Sequence, residues 1–204
     1  MFDAKLRPIT DPPLNAMARV LAAWGVGANL LTLVGLGFGL AGAVAIGLGA
    51  FSWGLVLIVL NRVFDGLDGA VARATGPTGF GGYLDIVADY AFYVAVPVGF
   101  GFAASENLVY ALVLVATFVL TGASFLAFAA IAARRGHETN THGRKAFFYS
   151  TGLAEGAETI AAFVAMCIVP SAFPPIAVGL AILCILTVFQ RTLLAARVLD
   201  DDVG

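Results

Sequence analysis

The chain has 204 residues, of which 60% are hydrophobic and 12% charged, with a net charge of −2 and a mean hydropathy of +0.95. This composition excludes an ordinary soluble domain, and the near-neutral charge provides no basic surface for nucleic acid. Apolar runs of roughly 20 residues can cross a bilayer as helices. The sequence therefore predicts an all-α, polytopic membrane protein.

The N-terminal segment 1–28 precedes the first long apolar run. It contains acids, bases and the pair Pro12-Pro13, a pattern that argues against a cleavable signal peptide. Within residues 11–26 the apolar positions recur at helical spacing, at Leu14, Met17, Val20, Leu21 and Trp24. This spacing predicts a short amphipathic helix that lies in the membrane interface.

Charged, glycine-rich and proline-rich breaks divide the rest of the chain into six apolar stretches. The six predicted transmembrane helices cover residues 29–50, 52–73, 83–104, 108–133, 152–170 and 174–197. They form one membrane domain over residues 29–199, followed by an acidic tail at 200–204. The basic residues outside the spans all fall on one side, which places both termini in the cytoplasm.

Four aspartates interrupt the apolar pattern around the second and third predicted spans. Asp65 and Asp68 share a helix face at i, i+3, and Asp85 and Asp89 share one at i, i+4. A predicted loop of nine residues makes the two helices neighbours, so we expect the carboxylates to converge. Two carboxylates about 4 Å apart repel by about 4 kcal/mol at an effective dielectric constant near 20. An oxygen-only cluster favours Mg²⁺, Mn²⁺ or Ca²⁺ and a phosphate-bearing substrate.

Three alternative roles account for the acids less well. Structural ion pairs with Arg62 and Arg73 would supply two bases for four acids. A divalent-cation transporter would also place acids in the membrane, but Arg73 at the mouth of its pathway would repel the cation. The outer halves of all six predicted spans are apolar, so no polar path continues to the opposite face. A non-enzymatic membrane scaffold leaves the clustered acids without a purpose.

The acids belong to a longer motif: Asp65-x-x-Asp68-Gly69-x-x-Ala72-Arg73, seven residues, and Gly81-x-x-x-Asp85-x-x-x-Asp89. This pattern resembles the signature of the CDP-alcohol phosphotransferases, and six spans in a chain of this length also resemble that family. The first predicted span opens with "GANLLT", which resembles a Pro-Asn-x-x-Thr element of the family with Ala28 in place of the proline.

The resemblance implies a metal-dependent enzyme of phospholipid synthesis. It would transfer a phosphatidyl group from CDP-diacylglycerol to an acceptor alcohol, with release of CMP, as a homodimer in a prokaryotic inner membrane with a cytoplasmic active site. The same chemistry with a soluble CDP-alcohol donor and a lipid acceptor is the alternative.

The resemblance also implies roles for individual residues. Asp65, Asp68 and Asp85 would hold two Mg²⁺ or Mn²⁺ ions, and Asp89 would complete the metal site and deprotonate the acceptor hydroxyl. The CDP-binding residues would be Asn29, Thr32, Asp68, Gly69, Ala72, Arg73 and Gly81.

Residues outside the motif leave the class of acceptor open. The inner loop carries Arg134, Arg144 and Lys145, which suit the phosphate of glycerol 3-phosphate or inositol phosphate. Positive-inside topology and contact with anionic lipid explain the same bases.

The fifth and sixth predicted spans provide further candidates. Glu155 and Glu158 share a helix face and suit acceptor hydroxyls or an amine such as choline. They also suit structural bridges to Arg191 or Arg62. Arg191 either reaches a substrate phosphate or extends its charge to the membrane surface.

Overall fold

The computed structural model describes residues 3–134 and 156–200, and these ranges are helical apart from short connections. The helices are α1 (Asp3–Ala23), α2 (Ala28–Gly47), α3 (Phe51–Thr75), α4 (Gly79–Ala103), α5 (Leu108–Arg134), α6 (Gly156–Ile168) and α7 (Phe173–Asp200). Single 3₁₀ turns, Ser105–Asn107 and Pro170–Ala172, connect α4 to α5 and α6 to α7. The all-α prediction is confirmed.

Four helical segments of the described ranges are long and apolar enough to cross a membrane: Ala28–Gly47, Gly79–Ala103, Ser105–Ile131 and Pro170–Arg197. The predicted count of six is therefore not confirmed. α3 is 25 residues long, but it carries Arg62, Asp65 and Asp68. α6 is described over 13 residues, fewer than the roughly 20 that a membrane-spanning helix needs. The six-span topology and its cytoplasmic orientation stay predictions.

The connection between the two acidic helices is shorter than predicted, at three residues rather than nine. α3 continues to Thr75, and α4 begins at Gly79. Thr78 caps α4, because its hydroxyl oxygen accepts a hydrogen bond of 3.0 Å from the backbone N–H of Gly81. Gly76 has a φ of +101°, a backbone conformation that residues with a Cβ atom rarely adopt. This tight turn reverses the chain direction, and both acidic helices pack against α2.

The bundle is organised around α2, which packs against both α3 and α4. α5 packs between α4 and α7, and α6 contacts α3 and α7. The buried core contains the aromatic side chains Phe92, Phe100, Phe163 and Phe173. Close van der Waals packing holds such helices together, since lipid tails are as apolar as the side chains they would replace.

The N-terminal helix α1 is longer than the predicted interfacial helix and packs against α3. Leu14 lies over Gly66, where an added Cβ would stand 2.8 Å from the Cδ1 atom of Leu14. Exposed apolar side chains on α1 are Met17 and Val20, and Trp24 follows the helix end. These residues suit contact with lipid, but the interfacial position of α1 stays a prediction.

α2 and α4 approach each other closely at Gly99. A Cβ on Gly99 would collide with the backbone oxygen of Ala43, which cannot rotate away as a side chain can. We expect Gly99→Ala to lower the free energy of unfolding by about 1–3 kcal/mol. Thermal unfolding in detergent micelles, followed by circular dichroism, measures the change. Gly37→Ala is the matched control, since a Cβ there meets nothing within 4 Å; equal losses would contradict the steric explanation.

Candidate active site

Three of the four predicted metal ligands lie together, with their carboxylates converging from α3 and α4. One carboxylate oxygen from each of Asp65, Asp68 and Asp85 lies within 4.8 Å of the other two. Asp65 and Asp68 are one turn apart on α3, and Asp85 comes from α4. The spacing argument therefore places these three carboxylates correctly, and their role as metal ligands stays a prediction.

The composition and spacing of this group suit a divalent cation. Its donors are carboxylate oxygens only, the ligands that Mg²⁺ and Mn²⁺ prefer. The three oxygens lie within 4.8 Å of one another, near enough to converge on a bound cation. Within the described residues, Oδ2 of Asp68 is buried without a hydrogen-bond partner, a costly state that a bound cation would relieve.

Asp89, the fourth acid, is held by an arginine of α3. Nη2 of Arg62 donates to Oδ1 of Asp89 at 3.0 Å, and Nη1 lies 3.5 Å from Oδ2 of Asp65. The guanidinium carbon lies 4.6 Å from the ring centroid of Phe92 and 5.7 Å from that of Tyr93. The ion-pair explanation thus applies to two of the four acids. It leaves a formal excess of three negative charges at the site.

Asn61 connects Arg62 to the backbone of α2. Its side chain is 3% exposed; Oδ1 accepts from Nε of Arg62 at 2.8 Å, and Nδ2 donates to the backbone oxygen of Gly35 at 2.8 Å. Sequence reasoning gave Asn61 no role and treated Arg62 only as a possible salt-bridge partner. The signal it missed is an Asn-Arg pair one helical turn before Asp65.

The predicted CDP-binding residues lie near the start of α2, the end of α3 and the start of α4: Asn29, Thr32, Asp68, Gly69, Ala72, Arg73 and Gly81. A Cβ added to Gly81 would stand 3.2 Å from Oδ1 of Asn29, and one added to Gly69 would stand 3.3 Å from Nη1 of Arg73. Thr32 is buried and lines a small cleft together with Asp65, Asp68 and Asp89. Both glycines therefore lie where a side chain would crowd a neighbouring polar group, and a role in binding CDP stays a prediction.

The family assignment follows from a match over most of the chain. Residues 26–196 match the family model described as CDP-alcohol phosphatidyltransferase. The chain belongs to this family. It is a membrane-embedded transferase of phospholipid synthesis, as the motif predicted.

Two relatives are similar in sequence to the transferase. It is 43% identical to the inner membrane protein YnjF of Escherichia coli (strain K12) over 192 residues, which cover 94% of this chain and 93% of that protein. It is 34% identical to the archaetidylinositol phosphate synthase of Pyrococcus horikoshii over 87 residues, 42% of this chain and 46% of that enzyme.

Solved structures show the same fold. The transferase is similar to Mycobacterium tuberculosis phosphatidylinositol phosphate synthase (PgsA1) in complex with manganese and citrate. The TM-score is 0.64 at 22% identity, covering 90% of this chain and 88% of that one. For PgsA1 with CDP-DAG bound, the TM-score is 0.62 at 22% identity, covering 92% of this chain and 94% of that one.

The predicted acceptor residues of the transferase are only partly described. Arg144, Lys145 and Glu155 lie outside the described residues. Arg134 is the last residue of α5, and Glu158 lies in the first turn of α6. The roles of these residues in binding the acceptor therefore stay predictions.

Arg191 of the transferase is a buried cation of α7 and is 9% exposed. Its Nη1 donates to the backbone oxygen of Thr121 and to Oγ of Ser124, both at 2.9 Å, and thereby ties α7 to α5. Arg191 therefore has a packing role, and its predicted contact with the acceptor stays a prediction.

Proposed function

We propose that this transferase moves a phosphatidyl group from CDP-diacylglycerol to the hydroxyl of an acceptor alcohol and releases CMP. The observation that carries the proposal is the convergence of Asp65, Asp68 and Asp85, with a buried, unpaired oxygen on Asp68 among the described residues. Solved PgsA1 structures that share this fold contain manganese in one case and CDP-DAG in another, which supports the proposal.

Asp65, Asp68 and Asp85 are assigned to hold Mg²⁺ or Mn²⁺, with two ions expected and Asp89 at the edge of the metal site. Held by these carboxylates, such ions would supply positive charge to the diphosphate and to the oxygens of an in-line displacement. Arg73 adds a guanidinium for the diphosphate, and Gly69 and Gly81 let this anion approach the backbone.

Asp89 is assigned as the general base that deprotonates the acceptor hydroxyl. Its Oδ1 is occupied by Arg62, whereas the described residues give no hydrogen bond to its Oδ2. The side chain is 31% exposed and lines the cleft, where a hydroxyl could approach it. A carboxylate held at one oxygen and open at the other suits proton abstraction.

Residues of two kinds are assigned to the acceptor. Arg191, with Arg134, Arg144 and Lys145 of the inner loop, suits a phosphorylated polyol. Glu155 and Glu158 suit an amino alcohol. We place the active site at the cytoplasmic face, because the basic loop residues cluster on that side, and we expect a homodimer.

The proposal is tested with the purified enzyme in lipid nanodiscs that contain CDP-diacylglycerol. Phosphorylated polyols and amino alcohols are added in turn, CMP release is followed, and the product lipid is identified by mass. We expect CMP release with one acceptor class, complete loss with EDTA, and recovery with Mg²⁺ or Mn²⁺.

Two outcomes would count against the proposal. If no acceptor releases CMP and no cytidine nucleotide binds, the enzymatic assignment fails. If CMP appears only with a soluble CDP-alcohol and a lipid acceptor, the donor assignment is wrong, and the alternative chemistry takes its place.

A further inference from the structure

The guanidinium of Arg62 is fixed from three directions. Nε donates to the buried side chain of Asn61 at 2.8 Å, and Nη2 donates to Asp89 at 3.0 Å. The plane of the group rests near the ring of Phe92, 4.6 Å from its centroid. A guanidinium is planar and presents its donors in a rigid fork, so these contacts together define one orientation.

Asn61 is anchored in turn to the backbone of a different helix. Its amide donates to the backbone oxygen of Gly35 on α2, and its exposure is 3%. A Cβ on Gly39 would stand 3.0 Å from Nδ2 of Asn61 and 2.7 Å from Cδ2 of Phe92. The absence of a side chain at Gly39 therefore leaves room for both Asn61 and Phe92. A continuous chain of contacts runs from α2 through Asn61 and Arg62 to Asp89.

The contacts of Arg62 favour Asp89 over the metal-ligand group. Its bond to Asp89 is 3.0 Å, whereas its distance to Asp65 is 3.5 Å, at the limit of a hydrogen bond. The convergent oxygens belong to Asp65, Asp68 and Asp85 and do not include Asp89. A fixed cation beside a divalent-metal site weakens metal binding by repulsion, so metal binding does not explain its presence.

We infer that Arg62 is a positioning residue that orients Asp89 toward the acceptor hydroxyl, and that Asn61 holds Arg62 in place. This inference rests on the proposed function, in which Asp89 is the base. Displacement of a reacting group by about 1 Å can cost roughly 100-fold in rate, so a fixed carboxylate matters for turnover more than for substrate binding.

The test compares Arg62→Gln, Arg62→Lys and Asn61→Leu with the unaltered enzyme. Steady-state CMP release gives kcat and KM, and titration with Mn²⁺ alone, followed by electron paramagnetic resonance, gives metal affinity. We expect Arg62→Gln to lower kcat roughly 100-fold, with the KM for CDP-diacylglycerol little changed and Mn²⁺ bound at least as tightly. Arg62→Lys keeps the charge without the fork and is expected to recover part of kcat.

Asn61 is tested by a double-mutant cycle. If Asn61 acts through Arg62, the variant that combines Asn61→Leu with Arg62→Gln has the same kcat as Arg62→Gln alone. Asn107→Leu is the matched control, because Asn107 is also buried and donates to a backbone oxygen, that of Phe100 at 3.2 Å. It lies at the far end of α4 from the acids, and we expect kcat near that of the unaltered enzyme.

Several results would overturn the inference in an enzyme that is active when unaltered. One is an unchanged kcat in Arg62→Gln. Another is a double variant whose kcat falls by the product of the two single losses. A third is a loss of Mn²⁺ affinity or a lower melting temperature that accounts for the loss of kcat. If Arg62→Gln does not fold, Arg62→Lys and Asn61→Leu decide through the same comparisons. If the unaltered enzyme releases no CMP, the proposed function fails, and this inference falls with it.

Discussion

Replacing Asp68 with asparagine is expected to abolish both metal binding and phosphatidyl transfer. Asp68 is 5% exposed, and its Oδ2 has no hydrogen-bond partner among the described residues, although it lies with the carboxylates of Asp65 and Asp85. Asparagine keeps the shape but removes the charge and one strong oxygen donor. Loss of a supporting residue behind a metal ligand costs roughly 10–100-fold in affinity, so loss of a ligand is expected to cost more.

Metal titration and turnover of Asp68→Asn are measured on the same sample. Electron paramagnetic resonance follows the binding of Mn²⁺, and CMP release follows the reaction. Glu106→Gln removes one negative charge from an exposed position near the start of α5 and serves as the control. Unaltered Mn²⁺ affinity in Asp68→Asn would show that Asp68 is not a metal ligand.

Replacing Asp89 with asparagine is expected to separate binding from chemistry. The amide oxygen of the new side chain could still accept the hydrogen bond from Arg62, so the geometry of the site is retained, but the amide cannot take a proton at neutral pH. Loss of a general base typically lowers the rate by about 10²–10⁴-fold. We therefore expect kcat to fall by about this factor, while the enzyme still binds Mn²⁺ and cytidine nucleotides.

The comparison of the two asparagine variants assigns the roles. Mn²⁺ titration and equilibrium binding of CDP are measured for both, beside CMP release. Binding retained in Asp89→Asn and lost in Asp68→Asn supports the proposed division between base and ligand. If Asp89→Asn loses Mn²⁺ as Asp68→Asn does, Asp89 belongs to the metal site and a different group must act as base.

Local spacing predicted the convergence of three of the four acids, whereas the fourth, Asp89, pairs with Arg62. Asp65 and Asp68 share a face of α3 because of the helical repeat, and Asp85 lies near them because a turn of three residues joins the end of α3 to the start of α4. These are properties of adjacent segments. They can be read from the sequence because few other arrangements are sterically possible.

The partner of Asp89 could not be predicted in the same way. Arg62 and Asp89 are 27 positions apart, and their bond depends on how α3 is rotated about its axis relative to α4. That rotation is set by close contacts of α2 with both helices, including those at Gly35 and Gly39. α3 is not among the four apolar spans because it carries Arg62, Asp65 and Asp68, the charged residues of the site.

The contact of Leu14 with Gly66 joins α1 to the part of α3 that carries the metal-ligand candidates. Gly66 lies between Asp65 and Asp68 in the sequence, so α1 packs against the same helical turn that carries these two acids. The family match begins at residue 26 and therefore does not include α1. A chain truncated at residue 26 would keep every motif residue but lose the contact of Leu14 with Gly66. An active truncated enzyme is therefore expected to need α1 as well as the family domain.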